Sequence, residues 1–206
     1  TGGGAHERNN PCSPGAKHGA LPLDSAKAAE RGLSPVVGEL LARFGALPHL
    51  VHRHGWHRPL VCPPMVQLGY YPAGSGAFYK PHLDRQPGEE GNHRELTFLL
   101  YLSRGYESSH GGCLRLLPGV EDAAGASPVE VEPLAGRVVV FRSGSQLHEV
   151  LPSHDGARLA LTLWVEYDLE ELPADARRHG GTGTGSGTAH TEKCMTTARA
   201  RERANM

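Results

Sequence analysis

From residue 59 onward, short apolar runs alternate with turn residues. The runs are separated by Gly, Pro and polar residues, and they read "LVCPPMVQLGYY", "AFYKPHLD", "LTFLLYLS", "GCLRLLP", "VEVEPL", "GRVVVFRS", "LHEVLP" and "RLALTLWVEY". Runs of this length and spacing predict about eight strands over roughly 110 residues. Such a series is typical of a sandwich, a barrel or a jelly roll, so the chain is predicted to be mainly β.

Upstream of the strands, the segment "PVVGELLARFGAL" has a different period. Its apolar residues recur at the three- and four-residue spacing of one helix face. Ser34 followed by Pro35 fits an N-cap and a first helical position. One amphipathic helix is therefore predicted within residues 25–46, supporting the strands.

The two ends of the chain have no apolar period. Residues 1–24 are rich in Gly, Pro and Asn, which predicts a flexible N-terminal segment. The sequence after Asp168 becomes charged and then reads "GGTGTGSGTAHT", which favours a linker over a phosphate-binding loop because no strand precedes it. The predicted folded domain is 25–172, with its core at 59–168 and a linker and disordered tail at 173–206.

Composition excludes several functions for this chain of 206 residues. Its 21 basic and 22 acidic residues give a net charge of -1, which supports neither nucleic-acid nor membrane-surface binding. No apolar run approaches a bilayer span. The four cysteines are widely spaced, which excludes a zinc ribbon and favours free thiols in a reducing compartment. We expect a cytoplasmic or nuclear protein.

The motif "YKPHLD" carries the first candidate chemistry. If it is a strand, His82 and Asp84 project from the same face. An imidazole and a carboxylate side by side suit two adjacent ligands of one metal. With 13 histidines in the chain, chance is the alternative.

A third ligand is available at the head of a late strand. His148 would complete a set of two histidines and one carboxylate. That set leaves three coordination positions open on non-haem Fe(II), whereas zinc favours a closed four-coordinate site.

The strand "RLALTLWVEY" has two different faces. One face is apolar, and the other carries Arg158, Ala160, Thr162 and Trp164. A guanidinium beside small residues can bind a carboxylate, because it offers a fork of donors next to a small gap. The alternative is a solvated Arg at a strand end.

Five segments in this order resemble the 2-oxoglutarate- and Fe(II)-dependent oxygenases, and within them the prolyl 4-hydroxylases: "MVQLGYYPAGSGAFYKPHLD", "RELTFLLYLS", "GGCLRLLP", "GRVVVFRSGSQLHEV" and "RLALTLWVEY". The resemblance covers about residues 64–167. It implies a double-stranded β-helix, which is a jelly roll with the metal inside one end.

The resemblance also implies roles for single residues. His82, Asp84 and His148 match the iron ligands, and Arg158 with Tyr101 matches the pair that holds the distal carboxylate of 2-oxoglutarate. The other residues that match the cosubstrate pocket are Tyr71 (or Tyr70, because the loop to His82 is one residue longer), Thr162, Leu99, Leu114 and Val150. Arg94 and Trp164 match residues near the peptide substrate. An Arg anchor resembles the hypoxia-factor-type, oxygen-sensing prolyl hydroxylases, where collagen-type enzymes carry Lys.

The implied reaction is hydroxylation of a prolyl residue, coupled to decarboxylation of 2-oxoglutarate to succinate and CO2. The implied requirements are Fe(II), 2-oxoglutarate, O2, possible ascorbate as reductant, and a proline-containing protein or peptide. No nucleophile is needed, so neither Glu149 nor Asp155 is expected to act as a base. The expected state is a monomer.

Two other readings stay open. The chain could oxidise a free amino acid, a small metabolite or another protein side chain. It could also be an inactive, cupin-like binding module, because residues 1–58 show one helix and no match to the family's supporting strands.

Further histidines form the segment "HLVHRHGWH", with His49, His52, His54 and His57. A second metal site would need a cysteine or carboxylate that this segment lacks, so a solvated loop is predicted. The segment "RQPGEEGNHRE" is predicted to be a polar loop at the mouth of the site.

Overall fold

A computed structural model describes residues 13, 15–54, 56, 59–119 and 125–168 of the chain. Ten strands are assigned there: Lys17–Pro22 (β1), Leu60–Val61 (β2), Met65–Tyr71 (β3), Tyr79–His82 (β4), Arg94–Tyr101 (β5), Leu114–Leu116 (β6), Val129–Val131 (β7), Val138–Arg142 (β8), His148–Val150 (β9) and Arg158–Tyr167 (β10). The helices are Ser25–Glu30 (α1) and Pro35–Arg53 (α2), and one 3-10 turn covers Ser108–His110.

The strands form two antiparallel sheets. The major sheet has the order β1-β3-β10-β5-β8, with β2 pairing β10, and the minor sheet has the order β4-β9-β6-β7. Because neighbours in these orders are distant in sequence, the chain crosses repeatedly between the sheets, as in a jelly roll. The predicted mainly β, jelly-roll class is confirmed.

The two faces of the major sheet have different roles. Its outer face packs against the helices in the largest buried cluster, where Phe98, Leu161 and Leu163 are buried with Leu41 and Phe44 of α2. Its inner face meets the minor sheet through a smaller cluster that includes Tyr101, Leu114 and Ala160. The outer face therefore supplies most of the buried apolar contacts, and the inner face is left to line a cavity.

Helix α2 begins where the sequence predicts. Ser34 caps it, with its hydroxyl accepting from the Val37 N–H at 3.4 Å. The helix continues past Pro48 to Arg53. The expected solvated loop over "HLVHRHGWH" is therefore wrong for its first part, since His49 lies within the helix, whereas His57 lies outside the described residues.

The N-terminal segment differs from its prediction. Residues 17–22 form β1, which pairs with β3 from Lys17 opposite Tyr70 to Pro22 opposite Met65. Helix α1 follows, with the Asp24 carboxylate capping it by accepting from Ala26 N at 2.8 Å and Lys27 N at 3.0 Å. The flexible assignment of residues 1–24 is thus wrong from residue 17 onward, because backbone pairing stabilises β1 without any apolar period of its own.

None of the helices in the described part of the chain has the length and apolar character that a membrane span requires. Cys62 and Cys113 are free thiols, while Cys12 and Cys194 lie outside the described residues.

Candidate metal and cosubstrate site

A cavity of about 670 Å³ opens between the two sheets. Its floor is built from rungs of β3 paired with β10, which are Tyr71 opposite Arg158, Gly69 opposite Ala160, and Gln67 opposite Thr162. The middle pair, Gly69 and Ala160, carries almost no side chain and leaves space in the floor. This space lies between the Tyr71 and Arg158 pair at one end and the Gln67 and Thr162 pair at the other. The face of β10 predicted to carry Arg158, Ala160, Thr162 and Trp164 is the face that lines this cavity.

His82, Asp84 and His148 meet at one wall of the cavity. His82 and His148 lie directly opposite each other on β4 and β9. The Nε2 atom of His82 is 3.5 Å from Asp84 Oδ1, and the Nε2 atom of His148 is 3.8 Å from Asp84 Oδ2. One ligand atom from each residue lies within 4.8 Å of the others. In the described residues this is the one group of three such side chains placed to hold a metal.

Asp84 reaches the cluster from a bend and not from a strand. Strand β4 ends at His82, so the prediction that "YKPHLD" is a strand throughout is wrong at its end. The predicted convergence of the two side chains nevertheless holds, because the chain turns at residue 84 toward the same side.

Both imidazoles are oriented by backbone carbonyls. His82 Nδ1 lies 2.8 Å from the Lys80 carbonyl, and His148 Nδ1 lies 2.9 Å from the Gln146 carbonyl. A carbonyl only accepts, so each Nδ1 carries the proton and each Nε2 presents its lone pair to the cluster. Burial is the main cause that lowers the pKa of His148, which favours the neutral form that a metal requires.

The Asp84 carboxylate is held in its charged form. Burial raises its pKa, but the contacts with the His82 and His148 imidazoles and the hydrogen bond from the Thr97 hydroxyl outweigh burial and leave the pKa lowered. Thr97 Oγ1 donates to Asp84 Oδ2 at 2.6 Å. Oxygen and nitrogen donors in this set suit a divalent metal, and the open side toward the cavity leaves room for further ligands.

Two buried donors without partners lie at the far end of the cavity, where Arg158 belongs to the lining and Tyr101 lies next to Arg158 without being part of the lining. Arg158 is 4% exposed, and its guanidinium lies 4.9 Å from the ring centre of Tyr71 and 5.3 Å from that of Tyr101. Arg158 Nε and Tyr101 Oη are buried and have no hydrogen-bond partner. A solvated Arg at a strand end is therefore excluded. Unpaired donors of this kind fit a bound carboxylate.

Burial also sets the state of the Tyr101 phenol. It is the main cause that raises the pKa of Tyr101, although Arg158 opposes the shift. The hydroxyl therefore stays protonated and can donate to an anion.

The other predicted residues occupy the walls. Tyr71 lines the cavity and is buried, whereas Tyr70 is 37% exposed and is not part of the lining. The apolar wall contains Leu99, Leu114 and Val150, and Thr162 lies on the floor.

At the mouth, Arg94 stacks over the Trp164 ring at 4.0 Å and donates from Nη1 to the Asp84 carbonyl at 3.2 Å. The Nε1 atom of Trp164 is buried and has no partner. The polar loop "RQPGEEGNHRE" contributes Gln86, Glu89 and Asn92 to the same mouth, which agrees with its predicted position.

Sequence reasoning missed His18 and Gln67. His18 lies on β1 opposite Gly69, lines the cavity, and places its ring 6.0 Å from that of Tyr71 and 6.2 Å from that of Tyr79. Burial first, and Arg158 second, lower its pKa. No local signal identifies His18, because its strand has no apolar period. Gln67 could have been found from its two-residue spacing to Gly69 and Tyr71 on the cavity face of β3.

Comparisons with known proteins agree with this geometry. Residues 66–166 match the 2OG-Fe(II) oxygenase superfamily. The chain is 34% identical over 101 residues to a hypoxia-inducible factor prolyl hydroxylase of Caenorhabditis elegans, a match that covers 48% of this chain and 13% of that protein.

Two solved structures are similar over more of their length. A Pseudomonas putida prolyl-4-hydroxylase is 31% identical with a TM-score of 0.57, covering 74% of this chain and 72% of that one. A Trichoplax adhaerens prolyl hydroxylase, solved with a hypoxia-inducible factor peptide, is 27% identical with a TM-score of 0.58. The match covers 76% of this chain and 64% of that one. With this fold and this cluster of two histidines and one carboxylate, the chain belongs to the 2OG-Fe(II) oxygenase superfamily.

Proposed function

We propose that this protein is an Fe(II)- and 2-oxoglutarate-dependent hydroxylase of prolyl residues in a peptide or protein. The observation that carries the proposal is a single cavity with two complementary ends. One end offers three metal ligands, and the other is lined by Arg158, beside which the buried Tyr101 hydroxyl also has no partner. A small dicarboxylate that binds a metal at one end and a guanidinium at the other fits between them.

The residues present fit this cofactor and cosubstrate. His82, Asp84 and His148 would hold Fe(II), and Arg158 with Tyr101 would hold the distal carboxylate of 2-oxoglutarate. When bound, Fe(II) and 2-oxoglutarate supply the activation of O2, with one oxygen atom going to the substrate C–H bond and the other to succinate as CO2 is released.

The protein's own part is binding, orientation and exclusion of water. The empty rung at Gly69 and Ala160 leaves space along the floor for the cosubstrate chain. The apolar side chains of Leu99, Leu114 and Val150 are 6%, 1% and 6% exposed, so they keep water from the reacting centre. No proton transfer from Glu149 or Asp155 is needed.

The mouth supports a peptide substrate. The stacked pair of Arg94 and Trp164 borders the metal cluster, and the donor of the Trp164 ring is unpaired. An aromatic ring beside a cation suits a proline ring and its neighbouring carbonyl groups. The Trichoplax adhaerens relative was solved with a peptide, which supports the same class of substrate here. The monomeric state, the cytoplasmic or nuclear location, the use of ascorbate and oxygen sensing stay predictions.

The test is turnover with a panel of substrates. Purified protein with Fe(II), 2-oxoglutarate and O2 is given proline-containing peptides or free amino acids, and succinate and product mass are measured. We expect succinate coupled to oxidation of a prolyl peptide, and none from Asp84→Ala. Coupling to a free amino acid instead would establish the alternative substrate class. A folded wild-type protein that makes no succinate with any substrate would support the inactive binding module.

A further inference from the structure

An ion pair lies directly behind the candidate metal ligand Asp84. The next residue, Arg85, places its Nη2 atom 3.6 Å from Oε2 of Glu95 on β5. The Glu95 side chain is 4% exposed and that of Arg85 is 31% exposed. Burying a carboxylate is costly unless a cation or hydrogen bonds compensate it, so the partly exposed Arg85 compensates the buried charge of Glu95.

Strand β5 holds two consecutive residues of the bend through two neighbouring side chains. Glu95 and Thr97 are two positions apart and therefore project from the same face. Thr97 Oγ1 donates to Asp84 Oδ2 at 2.6 Å, and Glu95 pairs with Arg85. Because residue 84 lies beyond the end of β4, no strand pairing fixes it from the following side.

Ser143 makes hydrogen bonds with residues of both the bend and β5. Its carbonyl accepts from the Arg85 N–H at 3.1 Å, and its own N–H donates to the Glu95 carbonyl at 3.0 Å. Its hydroxyl lies 2.9 Å from Thr97 Oγ1. Ser143 is fully buried, so the bend is joined to β5 through a small network in the interior.

Gly144 provides the space that Arg85 occupies. A Cβ at residue 144 would lie 2.7 Å from Nη2 and 2.9 Å from Nε of Arg85. Those distances are too short for real contacts, so a side chain there would displace the guanidinium from Glu95.

From these contacts we infer that Arg85 and Glu95 are positioning residues, which set the direction of the Asp84 carboxylate and thereby the metal affinity of the site. The inference rests on the proposed function, because it concerns the same cluster. Outer contacts that orient a metal ligand typically change affinity about 10- to 100-fold when removed.

The stability of the fold can be separated from this role. Replacing a buried ion pair by apolar side chains of similar size is often neutral or stabilising. The double variant Arg85→Met with Glu95→Leu should therefore keep the melting temperature of the wild type. It still lacks the ion pair that fixes residue 85 to β5. Gly144→Ala should displace Arg85 without changing any charge.

The experiment measures Co(II) affinity of the metal-free protein by titration, with the visible absorption of bound Co(II) and the melting temperature recorded for each variant. We expect the Arg85→Met/Glu95→Leu and Gly144→Ala variants to bind Co(II) about 10-fold or more weakly, with an altered absorption band. The matched control is Arg43→Met, which removes the exposed pair with Glu39 on α2 and should leave affinity unchanged.

Wild-type affinity and an unchanged band in both variants would overturn the inference. Should the double variant not fold, Arg85→Gln with Glu95→Gln provides the same comparison, because it removes both charges of the pair and keeps side chains of similar size. A wild-type protein that binds no metal would refute the proposed function instead, so the two failures are distinguishable.

Discussion

Single side chains at the inner end of the cavity define what it can bind. Arg158 and Tyr101 are buried and their donors are unpaired; Arg158 lines the cavity, and the Tyr101 ring lies beside its guanidinium. Leaving a buried donor unpaired costs roughly 1–3 kcal/mol, so these groups favour an anion that satisfies both. The same cost makes the site selective, since a ligand without a distal carboxylate leaves them unpaired.

Tyr101→Phe should weaken binding of 2-oxoglutarate to the metal-loaded protein about 10-fold, because one hydrogen bond to a charged group is lost. Calorimetric titration measures the change. Tyr70→Phe is the matched control, since that hydroxyl belongs to an exposed residue outside the cavity lining. Equal affinities for the wild type and Tyr101→Phe would place the carboxylate elsewhere.

His18 should make stability depend on pH. Its pKa is lowered from 6.5 in the folded protein, so the unfolded chain binds more protons once the pH falls below that value. Stability should therefore decrease as the pH falls from about 6.5 toward the lower folded pKa. Denaturant unfolding of the metal-free His18→Phe variant should show a flatter dependence over this range. An identical pH dependence in both proteins would contradict the lowered pKa of His18.

Among the structural elements, the strand that sequence analysis missed has a clear role. Strand β1 covers the edge of β3, and Pro22 at its end is almost fully buried. It also carries His18 to the cavity wall. The described N-terminal residues therefore support the sheet through one edge strand and two helices.

Removal of residues 1–22 should destabilise the domain, because it exposes the β3 edge and the apolar surface under Leu21 and Pro22. The expected loss is on the order of 2–4 kcal/mol, which corresponds to a melting temperature lower by roughly 5–15 °C. Calorimetry or circular dichroism would measure it. An unchanged melting temperature would show that this segment does not stabilise the domain, as its composition predicted.

The elements differ in how far the sequence could predict them. Strands β3, β5 and β10 were predictable because one face is buried against helices and its apolar residues alternate or run together. Strand β1 was not, because an edge strand is stabilised by a neighbour's backbone. The end of α2 was missed because Pro48 and a run of histidines resemble a helix stop. The candidate ligands could be predicted because the His-x-Asp spacing with a later His does not depend on where the strands end. The bend at Asp84, the Arg85–Glu95 pair and His18 depend on three-dimensional contacts that the sequence does not show.

In the molecule as a whole, one face of the major sheet packs in the core and the other face lines the cavity. The outer face of the major sheet packs on α1 and α2, while the inner face and the minor sheet enclose the cavity. Because β10 contributes buried Leu161, Leu163 and Val165 to one side and the Arg158 face to the other, packing of the helices fixes the cavity floor. This division of the sheet predicts that the cavity binds Fe(II) and 2-oxoglutarate together.

The most direct measurement of that claim is anaerobic. Fe(II) and 2-oxoglutarate are added to the purified protein without a histidine tag, and the visible charge-transfer band of the chelated complex is recorded. We expect a band in the wild type, none in Asp84→Ala, and in Arg158→Ala a band that needs about 10-fold or more 2-oxoglutarate. A folded wild-type protein with no band, or a band of full strength in Asp84→Ala, would show that the cavity does not bind the two together through these residues.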